Sequence, residues 1–97
     1  MILSFSDAGT EDVFNGVDSR TARKVCPNTL WRVAQRKLDQ LDAAVSLESL
    51  RVPPGNKLEA LKGNRRGQYS VRINDQFRIC FAWTPTGPEH VTIVDYH

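Results

Sequence analysis

The chain has only two cysteines, two histidines and one methionine, and its formal net charge is +2. Cys26 and Cys80 lie far apart and lack the paired CxxC spacing of a zinc or redox site. Both are expected to be buried thiols, and a disulfide between them would be unusual in a reducing compartment. No metal and no cofactor is expected. No apolar run approaches the roughly 20 residues of a membrane span, and the opening Met1-Ile2-Leu3-Ser4-Phe5 lacks the basic flank and apolar stretch of a signal peptide. The expectation is a cytoplasmic chain with no membrane partner. Internal repeats and low-complexity segments are also missing.

What is there suits one compact domain spanning residues 1–97. Hydrophobic residues make up 40% of the chain and charged residues 25%, enough for a single modest core. The small net charge hides an uneven distribution. Residues 1–50 carry six Lys/Arg against seven Asp/Glu, residues 51–78 carry seven against two, and residues 79–97 carry none against two. A basic middle segment is the electrostatic footprint of a polyanion-binding surface, although a solvated loop has the same composition.

Periodicity divides the chain in two. Leu3 and Phe5 suit a short first strand. Ser6 or Asp7 can cap a helix that carries Val13 and Phe14 and stops near Gly16. After Pro27 and Asn28, apolar residues recur at helical steps through Leu30, Ala34, Leu38, Leu41 and Val45, which predicts an amphipathic helix to about Val45. Arg32, Gln35, Arg36, Asp39 and Asp42 fall on its polar side. The two prolines and the glycine of Arg51-Val52-Pro53-Pro54-Gly55-Asn56 end helical structure.

From Gln68 the period becomes two. Tyr69, Val71 and Ile73 alternate with polar neighbours, then Phe77, Ile79, Phe81 and Trp83 do the same, with a turn at Asn74-Asp75-Gln76 between them. A second turn at Thr84-Pro85-Thr86-Gly87-Pro88 leads to the β-branched run Val91-Thr92-Ile93-Val94. Helices followed by consecutive strands predict an α+β fold, with N-terminal helices packed on one face of a small antiparallel sheet and the other face open.

Several residues can serve RNA cleavage by the substrate's own 2'-hydroxyl, which needs a base, cations at the phosphate and an acid at the leaving oxygen, and no metal. His97 titrates near neutral pH, and Asp95 or its own terminal carboxylate would favour the imidazolium, although a frayed terminal residue is the bland alternative. Arg78 alternates away from Phe77 and Ile79, so its planar guanidinium can face a groove and hold phosphate oxygens. Lys62, Arg65 and Arg66 surround Gly63-Asn64 in an expected turn and suit phosphate contacts or simple solubility. Tyr69, Trp83 and Tyr96 can stack on bases. Trp83 is assigned to packing, while Tyr96, between two ionisable residues, can reach a nucleotide.

The run Pro54-Gly55-Asn56-Lys57-Leu58-Glu59-Ala60-Leu61-Lys62-Gly63-Asn64-Arg65-Arg66-Gly67-Gln68-Tyr69-Ser70 resembles the central motif of HigB-type toxins of the RelE/ParE superfamily. Val71-Arg72-Ile73-Asn74-Asp75-Gln76-Phe77-Arg78-Ile79-Cys80-Phe81 and the terminal Val94-Asp95-Tyr96-His97 resemble the same family's strand and C-terminal signatures. The resemblance covers nearly all of the second half; the N-terminal half matches mainly in length and helix order.

The resemblance implies a RelE-like microbial ribonuclease fold and a type II toxin: an endoribonuclease that cuts messenger RNA in the ribosomal A site and is silenced by a helix-turn-helix antitoxin of the HigA type. Carried over by position, Lys62 and Arg78 become phosphate contacts, Asp95 and His97 acid–base candidates, and Tyr96 a nucleotide contact. Lys57, Arg65, Arg66 and Arg72 become RNA-binding candidates. Some family members have a histidine where this chain has Glu59, so Glu59 is a candidate base in its place, with Asp95 or His97 as alternatives. Two other readings stand beside this one: a ParE-like inhibitor of DNA gyrase, against which Asp95-Tyr96-His97 argues, and a non-enzymatic RNA- or protein-binding module.

Overall fold

The computed structural model describes residues 1–96. Asp7 opens the first helix, α1 (Ala8–Asn15), because its carboxylate accepts the Thr10 backbone N–H at 2.6 Å; Gly16 closes it in the left-handed conformation at φ 73°. A second helix, α2 (Arg20–Val25), follows, with the Ser19 hydroxyl accepting the Ala22 N–H at 3.0 Å. Gly9 sits where α1 meets α2: a Cβ there would lie 2.4 Å from the Thr21 carbonyl oxygen and 2.6 Å from a Val25 methyl. Only glycine allows the two helices so close.

The long helix begins later and ends earlier than its periodicity predicts. A 3-10 turn over Asn28–Leu30 leads into α3 (Trp31–Ala43), and Ala44 is already extended, leaving Val45 exposed beyond the helix. The expected inner stripe is present, with Ala34, Leu38 and Leu41 buried. Its polar side is less polar in use than expected. Gln35 donates to the Val13 carbonyl, Asp42 accepts the Ile2 N–H, and Lys37 is buried against Asn56.

Four antiparallel strands form one sheet in the order β1 (Glu59–Ala60), β2 (Gln68–Arg72), β3 (Phe77–Thr84) and β4 (Gly87–Asp95). The expected meander is β2 to β4. Its last strand starts at Gly87 rather than Val91, and a bulge between Cys80 and Ala82 accommodates His90 at φ 55°. The expected first strand is reduced to a parallel bridge from Phe5 to Val91. Backbone bonds from Leu3 N–H to Pro88 and from Ser6 N–H to Val91 seal the outer edge of β4 there.

Val71, Phe77, Ile79, Phe81, Val91 and Ile93 face the helices and make the core with Val13, Ala22, Leu38 and Leu41. This is the α+β arrangement with helices on one sheet face. The other face is not open as expected, because Ser70, Arg78 and Cys80 are buried on it. Among the described residues, no helix is long and apolar enough to cross a membrane.

Candidate active site

Strand pairing dictates what meets on that second face. Ser70 lies between Glu59 on β1 and Cys80 on β3, while Arg72 and Arg78 face each other two residues along the β2–β3 ladder. Side chains of directly paired residues share a face, and diagonal neighbours lie within reach of a long side chain. Arg78 therefore extends back across the sheet toward Ser70 and Glu59.

Its guanidinium is held from several sides. Nε donates to the Ser70 hydroxyl at 2.8 Å; Nη2 donates to the Lys57 carbonyl at 2.6 Å and to the Ser70 carbonyl at 3.4 Å. Lys57 can offer that carbonyl because its backbone turns through the left-handed region at φ 45° after the Pro54–Asn56 3-10 turn. The remaining nitrogen, Nη1, stands 3.1 Å from a Glu59 carboxylate oxygen. The Tyr96 ring covers the guanidinium carbon at 5.6 Å from its centroid, within cation–π range. Tyr96 is fixed in turn by its backbone N–H, which donates to the Gln76 carbonyl at 2.6 Å.

Exposure separates the anchored cation from its cover. Arg78 retains 7% of its accessible surface, whereas Tyr96 retains 48% and the Glu59 side chain 57%. A fixed guanidinium thus lies just beneath an exposed carboxylate and an exposed ring. An anion arriving from solvent meets Nη1 by displacing or joining Glu59, with Tyr96 available to a planar group beside it.

The other expected site residues are distributed around this cluster. Arg65, in a 3-10 turn over Gly63–Arg65, is near enough to act on the Cys80 thiol. Burial pushes that thiol up, and the Arg65 and Arg78 charges oppose the shift. Lys62 and Arg66 are exposed on the same hairpin loop between β1 and β2, and no described contact joins them to Arg78. Arg72 is paired with Asp75 in the next turn. Asp95 accepts a hydrogen bond from Gln76 Nε2 at 3.0 Å, and its ladder partner is Phe77, one pleat out of step with Tyr96. His97 lies outside the described residues.

Lys37 was not singled out by the sequence. Burial, with help from Arg36 and Arg72, holds its amine below the ordinary lysine range. Ser70 also escaped notice, since a serine alternating with core residues on a strand looks like one that faces water. Both cysteines are free and buried, as expected. Among the described residues, no three His, Cys, Asp or Glu side chains gather as a metal site.

Residues 3–97 match the HigB-like toxin family, described as a RelE-like toxin of the type II toxin–antitoxin system HigB. The chain belongs to that family. Toxin HigB-1 of Vibrio cholerae is 40% identical over 83 residues, covering 86% of this chain and 84% of that protein. An uncharacterized protein of Haemophilus influenzae is 39% identical over 57 residues, covering 59% of this chain and 56% of that protein. This HigB-like chain is therefore a toxin of a type II toxin–antitoxin system, and an antitoxin is its partner.

Proposed function

We propose that this HigB-like toxin is an endoribonuclease that cuts messenger RNA in the ribosomal A site and so inhibits translation. The observation that carries the reading is the Arg78 guanidinium, anchored by Ser70 and Lys57 and presenting Nη1 beside an exposed carboxylate. Preorganised charge of this kind stabilises a phosphorane because the cation need not reorganise as charge develops. The ribosome and the A site come from the family resemblance, as does the helix-turn-helix, HigA-type character of the antitoxin. Acting on translating ribosomes makes the toxin cytoplasmic.

In the proposed reaction the substrate's 2'-oxygen attacks the adjacent phosphorus and the P–O5' bond breaks, giving a 2',3'-cyclic phosphate and a 5'-hydroxyl. Arg78 binds a non-bridging phosphate oxygen, and Tyr96 stacks on a neighbouring base. Glu59, beside Arg78 Nη1, takes the 2'-hydroxyl proton in the place where some relatives carry histidine. His97 supplies the proton to the departing 5'-oxygen, and Asp95 favours the charged imidazolium that carries it. Lys57, Lys62, Arg65, Arg66 and Arg72 hold flanking phosphates, and no metal enters any step.

Primer extension on an mRNA incubated with purified toxin, with and without translating ribosomes, tests this for the intact chain and for His97→Ala. Ribosome-dependent cuts that vanish in the variant are expected. A fully folded toxin that leaves mRNA whole on translating ribosomes would shift the assignment to gyrase inhibition or to simple binding.

A further inference from the structure

We propose that Ser70 is the positioning residue for Arg78, aiming the guanidinium so that Nη1 rather than Nε meets the substrate phosphate. This rests on the cleavage reading above. Ser70 is fully buried at the centre of the sheet, flanked by Glu59 and Cys80 on the paired strands. A buried hydroxyl is costly unless it is hydrogen-bonded, and this one accepts the Arg78 Nε–H at 2.8 Å. The same residue's carbonyl takes a second, longer bond from Nη2 at 3.4 Å. One serine thus fixes two edges of the guanidinium plane.

The count of donors explains why this sets direction. Arginine offers five N–H groups in a rigid fork. Ser70 takes the single Nε–H, and the two carbonyls of Lys57 and Ser70 take the Nη2 edge. What remains toward the exposed side is Nη1, at the Glu59 carboxylate and under the Tyr96 ring. Without the Ser70 hydroxyl the buried Nε–H loses its acceptor. The side chain then gains by rotating toward another one, including the Glu59 carboxylate, and the Nη1 edge no longer points outward.

Ser70→Ala and Ser70→Thr test the assignment, since alanine fits the space and threonine restores a hydroxyl. Single-turnover cleavage on saturating ribosome–mRNA complexes is expected to slow roughly ten- to hundredfold in Ser70→Ala. The concentration of complex giving half-maximal rate should stay unchanged, and Ser70→Thr should recover most of the rate. Adding Ser70→Ala to Arg78→Ala should bring no further loss, because the hydroxyl acts only through that arginine.

A readout independent of activity is the Arg78 Nε–H resonance in heteronuclear NMR. It should be slowly exchanging in the intact chain and in Ser70→Thr, and shifted or lost in Ser70→Ala. An unmoved resonance, or a moved resonance with an undiminished cleavage rate, overturns the proposal. If the intact toxin cuts no RNA, cleavage falls as the activity, and the positioning role of Ser70 in that reaction falls with it. The resonance then still reports separately whether the hydroxyl holds Arg78.

Discussion

Single residues on the two faces of this sheet obey different rules. On the helix face the buried ones are apolar and form the core with the helices. On the other face Ser70, Arg78 and Cys80 are polar or ionisable groups that are buried: Arg78 donates to the Ser70 hydroxyl, and the Cys80 thiol is pushed up by burial against the opposing charges of Arg65 and Arg78. Cys26 belongs to the latter sort in the helical layer: burial pushes its thiol from 9.0 to about 11. The folded chain therefore keeps that proton over a range in which the unfolded chain has lost it. The stability contributed by the Cys26 thiol should be fully present below about pH 9 and be lost as pH climbs toward 11. Denaturant melts across that range test this, and Cys26→Ala should show a shallower loss. Native-state alkylation should leave both cysteines unmodified until unfolding exposes them.

The elements show which parts of the fold were legible in the sequence. The first helix was readable because Asp7 and Gly16 are strong punctuation, and α3 because its stripe repeats over three turns. The six residues of α2 carry too little apolar pattern to announce a helix; Ser19 and the contact with α1 make one. The two residues of β1 are both exposed, so only their pairing with Tyr69 and Ser70 reveals a strand. For the candidate site, Arg78 and Tyr96 were singled out by alternation and position and Glu59 by resemblance, and the structure brings the three side chains together. The Lys57 contribution is a backbone carbonyl, to which side-chain identity gives no clue. Gly9→Ala should destabilise the fold by about 1–3 kcal/mol, since its Cβ would collide with backbone that belongs to the next helix. A thermal melt checks this, and an unchanged midpoint would mean that α1 and α2 can slide apart.

At the scale of the whole molecule, helices support one sheet face and leave the other to carry an anchored cation with exposed neighbours. Of the seven basic residues of 51–78, Arg78 is at the centre of this cluster, whereas Lys62 and Arg66 are on the exposed hairpin loop. That division ranks their expected effects. A cation touching the reacting phosphate works in the transition state, whereas a peripheral one mainly adds salt-dependent binding. The most direct measurement is the single-turnover rate of mRNA cleavage on translating ribosomes for the intact chain, Arg78→Ala and Arg66→Ala, with melting curves for all three. The rate should fall by about 100- to 1000-fold in Arg78→Ala and by less than about tenfold in Arg66→Ala, with both variants folded. Comparable losses in the two variants would contradict the placement of Arg78 at the reacting phosphate.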